Sequence, residues 1–468
     1  MSNQRTRALA SVWSRVSAHA ARKGLTLGIV FALSVFGCAK EESGLVESYL
    51  SGTVELKDAN IDSPDNSGFQ VLVLAPQDGR VDTVASAITN DAGDFSATVR
   101  AREEGIYPIV VRRSGGVLKQ GQLVVSQGDS AVLALTLPAT NKPMIIRSPE
   151  NGAWMAYQNA KATYNRSITD LVSSGRATGD AIQTTILQSA GMMWDMSSIY
   201  PNTIGADLAA VESLMMLGSL ETTKTDSIVV SRTRTLSPTN PGYVDAGRVA
   251  WRSTARTSGL DDAVELLEVM REAVEGSRKK AALQSEIVLA YQDSLQYDNA
   301  RDASNRILAA YNDTEWGKWA ESAIYELDNL RPGQRAPRID ATSRDGRRVQ
   351  LSRIETPWVV VEFYEPRNQV YQRELQTRSD FLASESGATV TFVSVSLESD
   401  EDINEAFLER GLEGIHIVAR DGFSDELSKR FNVKVLPKRF LIKDGVIVGK
   451  YSGQALADLI ADIVNVPS

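Results

Sequence analysis

Residues 363–375 read FYEPRNQVYQREL and follow directly on the apolar run Val359, Val360, Val361. A β-branched run closing on an aromatic pair, then a Pro-containing turn, then a polar segment, predicts a strand, a turn and a helix opening at Gln369. Asn368 stands where an N-cap belongs, because its side-chain oxygen can accept an orphan N–H of the first helical turn, a contact worth about 1 kcal/mol. The rest of the chain is best read outward from this stretch.

Downstream the alternation continues as strand ATVTFVSVSL, helix DEDINEAFLERG, short strand HIVA, helix SDELSKRF, the segment NVKVLPKRFLI, a KDG turn, strand VIVGKY and a last helix ALADLIADIV. This is the rhythm of a small mixed α/β sheet. Upstream, RPGQRAPRIDATSRDGRRVQLSRI carries Gly333, Ala336, Pro337, Asp345, Gly346, Val349 and Leu351 in the pattern G-x-x-A-P-x, D-G turn, V-x-L. Residues 331–468 therefore resemble the thioredoxin-like families of the alkyl hydroperoxide reductase, thiol-specific antioxidant and TlpA type. The resemblance implies a thioredoxin-like fold, with Asn368 and Tyr371 at the two positions of the C-x-x-C pair. It also implies that Pro437 is the cis-proline facing the active-site turn, with the backbone of Leu436 pairing with an incoming extended peptide. Glu362 matches the buried acid beside the cysteines.

Thiol exchange needs a thiolate at the helix N-terminus and a second thiol three residues on. The chain holds one cysteine, Cys38, far upstream, and neither Asn368 nor Tyr371 can substitute. Peroxidase chemistry of the same families fails for the same reason. Tyr371 is expected to cover the groove with an amphipathic ring. Two readings of the charges stay open. Glu362, Arg367 and Lys438 could, with the helix dipole, hold an anionic group or a peptide carboxylate; or Glu362 pairs with a neighbouring base and the other two are solvated. Non-thiol catalysis in the groove has only Glu362 and these bases to carry it.

The N-terminal segment supplies the place for Cys38. Residues 1–23 carry Arg5, Arg7, Arg15, Arg22 and Lys23 with no acid, and Leu25–Phe36 is an apolar run too short to span a bilayer, which takes about 20 residues. Val35, Phe36, Gly37, Cys38 resembles the lipobox of bacterial lipoproteins, although Phe36 is bulky for its place; an ordinary secretory signal or a short anchor is the alternative. The resemblance implies a signal peptide over 1–37, acyl chains on Cys38, a linker over 38–49, and an outer-membrane anchor facing the periplasm, since no Asp follows the cysteine.

Residues 50–138 alternate as short strands between turn clusters, the spacing of a β-sandwich. TNDAGDFSATV and GIYPIVV resemble carboxypeptidase-regulatory-like domains, with Asp91 and Gly93 in a tight turn and Phe95 and Tyr107 between the sheets. Residues 150–330 turn helical: Ala263, Leu266, Leu267 and Met270 share one face, and the segment from Lys280 to Leu330 reads as three helices that resemble tetratricopeptide-like repeats or form a bespoke bundle. SRTRTLSPTNPGY is expected as an exposed loop.

The net charge of −9 and pI near 5.1 exclude a nucleic-acid partner. Two histidines, His19 and His416, exclude a His-based metal site, and no cofactor is expected. The chain thus reads as a β-sandwich, an all-α middle and an α/β thioredoxin-like end, acting as a redox-inactive module for a protein or peptide partner in the envelope. The alternative is an oxidoreductase working through a partner's cysteines.

Overall fold

The structure, a computed structural model, describes residues 44–57, 65–77, 80–138, 143–409 and 411–465. The expected signal segment and Cys38 lie outside the described residues. Among the described residues eight strands come first: β1 Val46–Leu56, β2 Gln70–Gln77, β3 Arg80–Ile88, β4 Asp94–Ala101, β5 Gly105–Arg113, β6 Gly116–Val125, β7 Ser130–Leu137 and β8 Ile146–Arg147. They form two four-stranded sheets, β4-β1-β7-β8 and β3-β2-β5-β6. β1 runs parallel to β7 and antiparallel to β4. In β7 the period-2 pattern is complete, with Ala131, Leu133, Leu135 and Leu137 all buried. One cluster between the sheets gathers Leu50, Val54, Phe95, Tyr107, Ile109 and Leu123. Gly93 turns at φ 88, and a Cβ there would come within 2.5 Å of the Val54 carbonyl oxygen, so the turn requires glycine. One boundary is corrected. β1 begins at Val46, inside the stretch 38–49 expected as linker; Ser48 and Leu50 point inward, but Glu47 and Ser48 break the apolar alternation that would have announced a strand.

Nine helices follow among the described residues: α1 Pro149–Ser173, α2 Gly179–Ile199, α3 Ile204–Gly218, α4 Thr223–Thr233, α5 Tyr243–Ser258, α6 Leu260–Ala273, α7 Ser277–Asp293, α8 Tyr297–Ala310 and α9 Glu315–Asn329. Ser148, Thr178, Thr203, Thr222 and Thr314 cap their starts with side-chain oxygens. Asn151 joins the sandwich to α1, accepting from the Val124 N–H at 3.0 Å. The later helices pack around Trp251, Leu267, Ile287, Ile307 and Leu327, and fully buried Ala281, Ala290, Ala300 and Ala320 let them approach. The loop expected over SRTRTLSPTNPGY is corrected in part. Its first three residues end α4, and Asn240 is buried, donating to the Asp207 carbonyl at 3.1 Å and accepting from the Gly242 N–H at 2.8 Å. No helix among the described residues is long and apolar enough to cross a membrane.

The C-terminal part opens with a hairpin, β9 Asp340–Thr342 and β10 Arg348–Gln350. It continues through β11 Trp358–Tyr364, α10 Gln369–Leu382, β12 Val390–Ser396, α11 Glu401–Leu408, β13 Ile415–Val418, α12 Glu426–Arg430, β14 Lys438–Lys443, β15 Val446–Ser452 and α13 Leu456–Asn465. The five-stranded sheet has the order β13-β12-β11-β14-β15. The first three strands are parallel, and β14 and β15 are antiparallel. All of β11 is buried: Val359, Val361 and Phe363 face one core, Trp358 and Val360 the other. The helical part docks on this sheet through α9. Leu330 enters the first core, the Tyr325 hydroxyl donates to the Arg430 carbonyl at 2.9 Å, and Asn432 donates to Ser322 Oγ at 2.8 Å and Glu326 Oε1 at 3.1 Å.

Candidate functional site

The strand β11 delivers the chain to the N-terminus of α10, and the segment before β14 faces it. Asn368 caps α10 as its position implied, accepting the Tyr371 N–H at 3.1 Å. Its amide nitrogen also lies 3.4 Å from the Leu436 carbonyl oxygen, so the cap ties the helix start to the opposing segment. The Leu436–Pro437 peptide is cis. Pro437 is buried, Leu436 partly so, and Val435 is 59% exposed. Among the described residues the Leu436 N–H donates to no acceptor, which leaves one strand-like donor free beside an exposed apolar side chain.

Tyr371 is not a groove cover. The residue is 1% exposed, its ring stacks on Tyr364 at 4.4 Å with Phe407 alongside, and its hydroxyl donates to Glu362 Oε1 at 2.8 Å. An aromatic ring three residues into α10 faces the sheet, and the buried Glu362 gives its hydroxyl an acceptor there.

Glu362 is completely buried in the central strand. Ser394 Oγ donates to its Oε1 at 2.7 Å, Arg378 Nε lies 3.4 Å from the same oxygen, and Arg439 Nε donates to Oε2 at 3.2 Å. Arg439 also pairs with Glu374 at 2.8 Å, and Glu374 accepts the Leu456 N–H at 3.1 Å at the start of α13. Burial alone would push the Glu362 carboxyl up; Arg378, Arg439 and the two hydroxyls outweigh it and hold the carboxyl below the usual range. Burial pushes the Tyr371 hydroxyl the other way, well above its ordinary value, and the adjacent Glu362 adds to that. Two carboxylates and two guanidiniums thus form a charge-balanced buried network. Of the two readings of Glu362, the pairing one is what the geometry shows.

The other two charges do not join it. Arg367 is exposed and carries no ion pair among the described residues. Lys438 donates to Ser452 Oγ at 3.0 Å and lies over the Phe440 ring; burial pulls its ammonium pKa down. Arg378, Glu374, Ser394 and Arg439 were not expected at the site. Their signal was periodicity and register: Tyr371, Glu374 and Arg378 share a face of α10, and Ser394 and Arg439 stand directly opposite Glu362 on the two flanking strands.

The parallel trio with two antiparallel strands, a helix opening after the central strand and a cis X-Pro before β14 define a thioredoxin-like fold. No protein-family model matches the chain, and no curated protein matches its sequence. Among solved structures it is similar to a putative thiol:disulfide interchange protein DsbE from Chlorobium tepidum, at 20% identity over 29% of this chain and 100% of that one, TM-score 0.26. It is also similar to StoA from Bacillus subtilis, at 18% identity over 28% and 97%, TM-score 0.24. A thioredoxin-like protein from Bacteroides caccae matches 51% of this chain and 92% of its own, at 11% identity and TM-score 0.36.

Proposed function

We propose that the C-terminal part is a thiol-free thioredoxin-like module that binds an extended polypeptide along Val435–Pro437, carried on an envelope lipoprotein anchored through Cys38 and facing the periplasm. The observation that carries this reading is the use made of the two C-x-x-C positions. Asn368 caps a helix and contacts Leu436, and Tyr371 is locked into the Glu362 network, while the Leu436 N–H stays free. A site built this way has a main-chain donor for a strand-like ligand and no nucleophile.

The lipid anchor, the outer-membrane location and the sandwich as a stalk rest on the motifs of the first 138 residues and belong to the same proposal. With the purified chain added, dithiothreitol alone should still set the rate of insulin-disulfide reduction; acceleration above that background overturns the proposal. The second reading, exchange through a partner's cysteines, follows from the thioredoxin-like fold itself. A pull-down from extracts with the full chain should then recover a cysteine-bearing partner, held non-covalently, whose retention depends on Leu436 and Pro437.

A further inference from the structure

We infer that the β9–β10 hairpin forms an oxyanion site that takes a phosphate monoester. The cavity between this hairpin, the short helical turn after it and the start of β13 has a volume of about 630 Å³. Its lining carries Arg344, Arg347, Arg348 and Arg353 against one carboxylate, Asp345, with His416 in the wall. In a chain of net charge −9, this is a local reversal of sign.

Two of the arginines are already matched. Arg347 pairs with Asp345 at 2.7 Å, and Arg348 grips Asp340 through two contacts of 2.7 and 2.8 Å, holding that carboxyl down to about 2. Arg344 and Arg353 have no ion pair or side-chain hydrogen bond among the described residues. Arg344 and Arg353, both exposed, thus leave the cavity with uncompensated positive charge, and a doubly charged oxyanion would neutralise it while matching the planar fork bidentately.

Hydrogen bonds brace the frame of the cavity. The Arg344 N–H donates to the His416 carbonyl at 2.8 Å, clamping the turn to β13, and Ser343 Oγ donates to the Arg347 carbonyl at 2.9 Å. Among the described residues His416 makes one ring hydrogen bond, Nε2 to the Leu412 carbonyl at 2.8 Å, and its buried Nδ1 has no partner. The volume exceeds that of a bare ion and falls in the range of small-molecule sites, so the anion is expected to carry an organic group. β13 starts here, whereas Leu436–Pro437 adjoins the far end of β11, so the site is separate from the peptide-binding edge.

The shared chemistry is a phosphate monoester, free or on a lipid headgroup, and two arms separate the sources. In the first, the full chain is titrated with inorganic phosphate and with glycerol phosphate while the His416 ring signals are followed by NMR, with chloride at matched ionic strength as control. A saturable shift is expected, tenfold or more weaker in the Arg344→Gln/Arg353→Gln double variant. Arg344→Lys/Arg353→Lys, which keeps charge without the fork, should fall between. In the second, co-sedimentation of the unacylated Cys38→Ala chain with phosphatidylcholine vesicles is compared with vesicles containing phosphatidic acid; retention lost when Arg344→Gln/Arg353→Gln is added assigns the headgroup as source. A shift that does not saturate or is matched by chloride, together with vesicle binding indifferent to both arginines, overturns the proposal. So does saturable binding that the folded double variant retains in full.

Discussion

Glu362 is the residue on which the C-terminal sheet is most exposed to a single change. Removing one member of a buried ionic network leaves the others unpaired, so Glu362→Ala is expected to destabilise this part by about 3–5 kcal/mol in urea unfolding. Its carboxyl is held below the range of an unfolded glutamate, about 4.3. Its contribution is therefore complete above that pH and is lost as pH falls through the lower folded value. The stability gap between the natural chain and Glu362→Gln should close on acidification below about pH 4.3; a gap that widens there contradicts the network's role. Glu150 gives the opposite sign. Burial raises its carboxyl, although it accepts the Ile204 N–H at 3.0 Å, so its folded form favours the proton and its contribution fades as pH rises through the raised value. Glu150→Gln, which keeps an acceptor, should raise the thermal midpoint at pH 7 and have little effect at pH 4. At this scale the Asn368 cap was legible because a cap depends on local backbone geometry alone. The direction of Tyr371 was not, since it is decided by Phe407, Tyr364 and Glu362, which lie on other elements.

Between elements, the join of α9 to the segment before β14 matters most. Asn432 sits at φ 46, the left-handed region that Asn tolerates better than most residues, and its side chain reaches Ser322 and Glu326 on α9. Glu326 also holds Lys450 of β15 at 2.9 Å. The helical part thus grips the stretch that leads into Leu436–Pro437. Asn432→Gly keeps the backbone permissive and removes only the side-chain bonds, whereas Asn432→Ala adds a backbone cost of about 1–2 kcal/mol. Both should speed amide exchange over 433–436, the alanine variant more. Equal exchange in all three chains would mean that α9 does not hold this segment. Strand and helix order in this half could be read from apolar runs and helical patterns because burial makes most residues of β11 and β12 apolar, Glu362 and Ser394 being the polar pair between them. The α9 contact could not, because Ser322, Glu326 and Asn432 are polar residues of ordinary surface appearance whose pairing exists only after two parts of the chain meet.

Across the whole molecule the proposal joins an acylated N-terminus to a peptide-binding edge more than 390 residues away in sequence. If Cys38 carries acyl chains, the natural chain should partition into the detergent phase of a cloud-point extraction and Cys38→Ala into the aqueous phase; identical partitioning removes the anchor from the account. The sandwich strands were legible from alternation and turn clusters, except where β1 starts in a polar stretch. The centre of the functional claim is the free Leu436 N–H beside the cis peptide. The most direct measurement is hydrogen exchange at the Leu436 amide as a soluble, unstructured polypeptide is added, once with its cysteines and once with each replaced by serine. The account predicts slowed exchange at Leu436 with the same affinity for both. Unchanged exchange, or protection only by the cysteine-bearing form, would contradict it.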